Sequence, residues 1–350
     1  MESQKPLHRA AILIRENGGY HFDVQQIPVP EIQPLEVLIS LSVSGVCGTD
    51  VSLAAGHVGP CCDILGHEGV GKIEKIGSGV DPSIAKIGDR VGVGWIQDVC
   101  GQCSCCRIPG GETRCVEELY SGRKRNGTFA EYCSVPARYL MVIPEDITIA
   151  DELVAPILCG GVTAYKALKV CEAVRGEWVA ILGAGGGVGA LAVQYARAMG
   201  YRVLAIDVNI DMRDECLALG AEVFLNAQDD ISSAVQKATG GLGAKAVIVT
   251  AGAKVAYQSA FKIVAYFGVI VCVGIPPLPE SISFHPLDFI GTGVKLVGSL
   301  TGTRADTIEA LRLVQKGVVT PKVQMTSLED LSDAIQMVGK PGIKYVVRLQ

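Results

Sequence analysis

The chain has 350 residues, enough for about two domains at roughly 150 residues each and for a substantial buried core. Hydrophobic residues make up 49% and charged ones 19%, which excludes a disordered chain. A formal net charge of −5 gives no general attraction to a phosphate backbone and argues against a nucleic-acid partner.

The first ten residues, MESQKPLHRA, have neither the apolar core of a signal peptide nor the arginine-rich, acid-free character of a transit peptide, so a cytoplasmic protein is expected. From residue 9 to about 143 the pattern is short β-rich segments, such as 37–43 (VLISLSV) and 70–76 (VGKIEKI), punctuated by Gly, Pro and Asp. This predicts an irregular, mostly β domain. Within it lies the largest basic cluster, Arg123-Lys124-Arg125, read as a solvated loop with an anion contact as the alternative.

From about residue 156 strands and helices alternate. A buried strand is predicted at 178–182, a small-residue helix at 188–199 ending at Gly200, and further strands at 202–206, 246–250 and 269–274. That alternation implies a doubly wound parallel sheet of α/β class. The longest apolar run, 263–275, is shorter than the ~18 residues of a membrane helix and is broken by Gly268, so no membrane span is expected. It is read as a helix end, a turn and a buried strand. Beyond it the regularity fades, with helical patterns at 305–316 and 328–338 and a last strand at 345–347.

Residues 181–189, ILGAGGGVG, join a predicted strand to a predicted helix. Glycines here let the backbone turn tightly and approach a pyrophosphate, while the helix N-terminus offers N–H donors. Gly183, Gly186, Gly187, Val188 and Gly189 are therefore candidate cofactor contacts. A bare strand–helix turn is the alternative, and the position of Asp207 at the end of the next strand disfavours it. Asp207 would accept from ribose hydroxyls and repel a 2′-phosphate, which favours NAD over NADP. Arg213 is the one nearby basic residue that could soften the preference.

Thirteen cysteines in a reducing compartment argue for metal over disulfides. Cys100, Cys103 and Cys106 are spaced by two residues, and Cys115 follows in the same polar loop. Four thiolates with no open position make a structural zinc site. Cys105 points elsewhere in such a wrap, and a set of free thiols at this density would invite oxidation. Cys47, His67 and Cys159 are scattered. Taken singly, each more often reads as a buried small residue or a core histidine.

The runs GVCGTD, GHE, the four-cysteine lobe, APILCGGVTAYKAL, the glycine turn with LAVQYARAMGYRVLAID, and VGSLTGTRADTIEAL resemble the zinc-dependent alcohol dehydrogenases of the medium-chain family, nearest to the fungal tetrameric type. The resemblance spans essentially the whole chain. It implies a GroES-like, mostly β catalytic domain from residues 1–154 and 291–350, carrying the zinc lobe at 98–115, around a Rossmann domain at 155–290.

By the same resemblance Cys47, His67 and Cys159 hold a catalytic zinc, with Asp50 supporting His67 and Glu68 close enough to exchange as a ligand. Two thiolates and one imidazole leave an open position for a substrate oxygen. Thr49 matches the hydroxyl that takes the alcohol proton, and Val273 and Lys344 would meet the cofactor. NAD, two zinc ions per chain and a homo-oligomer, tetramer or dimer, are implied.

The chain departs from the family pattern at several points. The gap from Cys106 to Cys115 is one residue longer. Lys344 stands where an arginine commonly reaches the pyrophosphate, and Gly48 replaces a basic residue, which together suggest weaker NAD binding. Ser52 replaces the histidine that ends the proton relay; His57 would substitute if its loop folded back, a surface position being the alternative. Ala54 and Val58 stand where ethanol-preferring members carry tryptophans, leaving Trp95 alone in the pocket. A substrate alcohol, aldehyde or ketone bulkier than ethanol is expected. Competing readings are a polyol or amino-alcohol dehydrogenase, a dehydrogenase tailoring a specialised metabolite, and a zincless relative acting as a quinone reductase, structural protein or binding module.

Overall fold

Mixed burial along the N-terminal strands, and nearly unbroken burial along the central ones, accompany two large sheets and two two-stranded ribbons. The computed structural model describes residues 6–16, 18–277, 279–339 and 343–350. A hairpin of β1 (Leu7–Glu16) and β2 (Gly19–Pro28) comes first. It is followed by β3 (Glu36–Gly45), β4 (Gly69–Ile76) and β5 (Arg90–Val93). A small ribbon of β6 (Ile96–Asp98) and β7 (Leu119–Tyr120) flanks the cysteine lobe. The N-terminal set ends with β8 (Tyr132–Pro136) and β9 (Met141–Val142).

The second sheet is parallel: β10 (Trp178–Leu182), β11 (Arg202–Asp207), β12 (Val223–Asn226), β13 (Ala244–Val249), β14 (Val264–Cys272) and β15 (Lys295–Gly298). Its order, β12-β11-β10-β13-β14-β15, reverses direction at β10. That is the switch point where doubly wound sheets open a crevice for ligands. β10 reads as a continuous apolar run because helices cover both of its faces.

The chain returns to the first sheet through β16 (Val323–Ser327) and β17 (Lys344–Arg348). The resulting order is β16-β17-β3-β4-β5-β9, with β8 also on β3. β17 lies antiparallel to β3, Val346 opposite Gly45 and Val347 opposite Ser44. The first sheet is thus built from both ends of the sequence.

The expected break at 290 does not match the sheets. β15 pairs with β14 in the parallel sheet, and Ala310 and Leu311 of the helix Arg304–Gln315 share the core of β10. β15 is held by its backbone ladder to β14, its side chains being largely exposed, whereas the helix is held by its buried apolar face. The last predicted helix, 328–338, is shorter, at Leu331–Gln336.

One apolar core crosses the junction, joining Val43, Val70 and Val346 of the first sheet to Val179 and Ile181 of the second. Arg90 straps the connecting segment, donating to the carbonyls of Ile147 (2.9 Å) and Ile149 (2.7 Å) and pairing with Asp151.

Candidate active site and metal clusters

Cys47 leaves β3 and caps the helix Gly48–Ala54, its N–H donating to Asp50 Oδ2 at 3.0 Å. The other carboxylate oxygen of Asp50 accepts from Gly66 N–H at 3.1 Å and faces His67 Nδ1 at 3.0 Å. Asp50 and His67 are both fully buried. With Nδ1 committed to the carboxylate, Nε2 is the ring nitrogen left to face the cluster.

His67 Nε2 and Glu68 Oε2 are buried with no hydrogen-bond partner among the described residues. Cys159, at the head of the helix Gly160–Lys169, brings its Sγ to 3.8 Å from Cys47 Sγ. One ligand atom from each of Cys47, His67, Glu68 and Cys159 lies within 4.8 Å of the others. Two orphaned polar atoms and two sulfurs converging in the interior would be costly without an ion to satisfy them. The donor set, two sulfurs with one nitrogen, suits zinc.

Electrostatics agree with that convergence. The Cys159 thiol, hydrogen-bonded to Cys47, pulls Cys47 well below the ordinary thiol range and is itself pushed well above it. Burial drives the Glu68 carboxyl up to about 7 against the pull of Lys344. Burial opposes a charge on His67, but Asp50 still raises it well above the usual imidazole value.

Lys344 was expected at the pyrophosphate. β17 places its first residue beside the cluster, where Lys344 Nζ donates to Glu68 Oε1 at 2.5 Å. Gly45 is a residue the sequence reading missed: a Cβ there would fall 2.0 Å from Glu68 Oε2. A glycine closing a strand looks like ordinary turn punctuation, and nothing in the sequence marks it.

Thr49 Oγ1 lies 3.9 Å from Cys47 Sγ. Trp95 sets its edge against the His67 ring, with centroids 5.3 Å apart, and stacks on Tyr120 at 4.7 Å. Ala54 is buried in the β-domain core, which Val58 joins from its edge. His57 is exposed; its backbone N–H donates to the Ser52 carbonyl at 2.9 Å, and its ring has no partner among the described residues. That exposure favours the surface reading.

The glycine turn lies at the C-terminal end of β10. Gly183 adopts φ 87°, a left-handed conformation that disfavours a side chain, and a Cβ on Gly189 would meet Gly183 O at 2.0 Å. Asp207 accepts from the N–H groups of Gly185 (2.8 Å) and Asn209 (2.9 Å), which fixes its carboxylate at the end of β11. Gly185 escaped the sequence reading although it lies in the same motif. Gly186 caps the helix Gly187–Ala198, on whose first turn Val188 sits. Val273 follows β14 at the same edge of the sheet, and Arg213 is exposed at the start of its helix. A methyl on Gly160 would touch Val188 Cγ2 at 3.7 Å, so the metal cluster and the cofactor helix are immediate neighbours.

Cys100, Cys103, Cys106 and Cys115 form a second cluster with ligand atoms within 4.8 Å. Backbone N–H groups point at its sulfurs: Cys103 N to Cys100 Sγ at 3.3 Å, Cys106 N to Cys103 Sγ at 3.4 Å, Cys100 N to Cys115 Sγ at 3.2 Å. Such donors hold the Cys103 thiol down at about 6. Arg138 braces the lobe with a two-pronged contact to Asp98, at 3.0 and 2.6 Å. Arg114 ties it to the Gly298 carbonyl at 2.8 Å.

A parallel sheet with a glycine turn at its switch point, apposed to a β domain with a Cys/His cluster, defines a nucleotide-dependent metalloenzyme architecture. Residues 33–145 match the alcohol dehydrogenase GroES-like domain and residues 187–316 the zinc-binding dehydrogenase domain. The chain belongs to the zinc-dependent alcohol dehydrogenase family. It is 41% identical to an alcohol dehydrogenase of Geobacillus stearothermophilus over 93% of this chain and 95% of that one. Among solved structures, an NAD-dependent alcohol dehydrogenase superposes with a TM-score of 0.86 at 27% identity, covering 98% of this chain and all of that one. The acetophenone reductase of Geotrichum candidum, solved with NAD, gives 0.84 at 25% identity over 99% and 98%.

Proposed function

We propose that this chain is an NAD-dependent alcohol dehydrogenase that holds catalytic zinc on Cys47, His67 and Cys159 and structural zinc on the four-cysteine lobe. The observation that carries the reading is the convergence of orphaned His67 Nε2 and Glu68 Oε2 with two sulfurs beside the cofactor helix. Bound zinc supplies Lewis-acid polarisation of the substrate oxygen. NAD held at the glycine turn would accept the hydride of the alcohol carbon, and the Thr49 hydroxyl would take the alcohol proton while releasing its own toward the cofactor ribose. Asp50 holds His67 in the tautomer that leaves Nε2 free. Glu68 is the reserve ligand, and Lys344 restrains it through Oε1.

The substrate is bulkier than ethanol: by the family resemblance positions 54 and 58 carry Ala and Val in place of tryptophans, which leaves Trp95, with its centroid 5.3 Å from that of His67, as the large ring beside the cluster. The preference for NAD rests on Asp207. Exposed Tyr266, Phe267, Ile275 and Ile290 around the edge of β14 and β15 support a homodimer or homotetramer. A cytoplasmic location fits thirteen unpaired cysteines. No helix among the described residues is long and apolar enough to cross a membrane.

The test follows NADH absorbance with zinc-loaded protein on alcohols from ethanol through branched to benzylic, repeated with NADP. A tenfold higher kcat/KM for the bulky alcohols, about 1.4 kcal/mol of transition-state preference, is expected, together with about two zinc ions per chain. A preference for ethanol overturns the pocket argument. Protein that binds no zinc overturns the mechanism.

A further inference from the structure

The basic cluster at 123–125 plays no part in the dehydrogenase reading, and its three cations are not alike. Arg125 pairs with Glu36 at 2.7 Å and Lys124 with Glu118 at 3.2 Å. The Arg123 guanidinium is half-buried and has neither a hydrogen bond nor an ion pair among the described residues. A cation partly withdrawn from water with no counter-charge is a ready partner for an anion.

Its position follows from the segment that carries it, since residues 120–123 run alongside residues 59–67. Tyr120 stacks on Trp95, whose edge rests on His67, with centroids 4.7 and 5.3 Å apart. Ser121 Oγ donates to the Gly66 carbonyl at 2.9 Å, and Cys62 N–H donates to the Gly122 carbonyl at 3.0 Å. One residue further on, Arg123 Nη2 lies 3.5 Å from where a Cβ on Gly59 would sit. The strip thus begins with the rings beside His67 and ends with an unpaired guanidinium against the residue that follows Val58, the position that the family resemblance places in the substrate pocket.

We propose that Arg123 selects substrates carrying a carboxylate remote from the reacting carbon, so that the alcohols oxidised here are ω-hydroxy acids. The inference rests on the dehydrogenase reading and adds a substrate class to it. A planar guanidinium offers paired N–H groups to the two oxygens of a carboxylate, and one unpaired positive charge matches one negative charge. Between the carboxylate and the reacting carbon the chain passes Trp95 and Tyr120, whose rings suit an apolar spacer. Ethanol leaves Arg123 unmet. The carboxylate takes no part in the bond changes, which remain those of alcohol oxidation by NAD.

Initial rates of NADH formation by the zinc-loaded protein on ω-hydroxydecanoate and ω-hydroxyhexanoate, each compared with its methyl ester, test this. Esterification removes the charge and keeps the chain. The ratio of kcat/KM should favour ω-hydroxydecanoate over its ester by at least about fivefold, and by less in the hexanoate pair, whose carboxylate falls short of Arg123. Arg123→Gln should level the decanoate pair to within about twofold, and Arg123→Glu should favour the ester. No partner is lost at position 123, so both variants are expected to fold. Oxidation of the esters with no preference for the acids overturns this proposal and leaves the dehydrogenase reading standing, whereas failure to oxidise any of the four compounds overturns both. A preference of equal size at both lengths, or one that survives Arg123→Gln, reports the general field of the protein and likewise overturns the proposal.

Discussion

The two cysteine clusters of this chain differ in how far the backbone travels to assemble them. The lobe closes within residues 100–115, and backbone N–H groups already satisfy its sulfurs. The other cluster draws on positions 47, 67, 68 and 159, and leaves His67 Nε2 and Glu68 Oε2 with no hydrogen-bond partner among the described residues. A closed, locally satisfied set suits a fastener. An open set with atoms left bare suits chemistry, because what the protein leaves unbonded is available to an ion and its substrate.

That contrast can be broken most severely at His67. Replacing it with alanine should remove one zinc per chain and lower kcat/KM by at least about 10³-fold, roughly 4 kcal/mol, as read by elemental analysis and NADH formation. Asp50→Asn tests the support behind it: zinc affinity should fall about 10–100-fold in chelator competition. Unchanged affinity would mean that His67 is oriented by packing alone.

A third test reaches the open cluster through its framework. Asp306 accepts from Lys169 at 2.7 Å and Lys166 at 3.2 Å, clamping the helix that Cys159 begins. Burial opposes its ionisation, but Lys169 and Thr303 hold its carboxyl down at about 2. A depressed carboxyl stabilises the fold above its unfolded value of about 3.9, and that stabilisation is lost as pH falls toward 2. Asp306→Asn should therefore cost about 2 kcal/mol in urea unfolding at pH 7. The gap from wild type should narrow as pH falls below about 4.

Cys103→Ala should give the smallest effect on turnover. It should lose the lobe's zinc yet keep kcat/KM within about threefold at 25 °C. A loss as large as that of His67→Ala would erase the distinction between fastener and reaction centre.

Legibility in the sequence followed the same division. The lobe could be read from spacing alone because its ligands are local, and the glycine turn because strand, turn and carboxylate follow one another within one βαβ unit. Cys47, His67 and Cys159 were reachable only through family resemblance, since their convergence is a property of the fold. The role of Gly45 depends on Glu68, a side chain from the segment just before β4. β15 was misassigned because the stretch before it, with Pro276, Pro277 and Pro286, lacks the periodicity that marks the earlier units.

The threading of β17 between β16 and β3 has a consequence for biosynthesis. The parallel sheet is contiguous in sequence and can close while the chain is still being made, since domains form as units during synthesis. The other sheet cannot. Until residues 344–348 leave the ribosome, β3 shows an open edge, Val46 N–H lacks the Tyr345 carbonyl it later meets at 2.9 Å, and Glu68 has no lysine beside it. A nascent chain stalled at that stage displays an unpaired strand next to clustered thiols. It is then most in need of a chaperone, and most exposed to sticking to its neighbours on the same message.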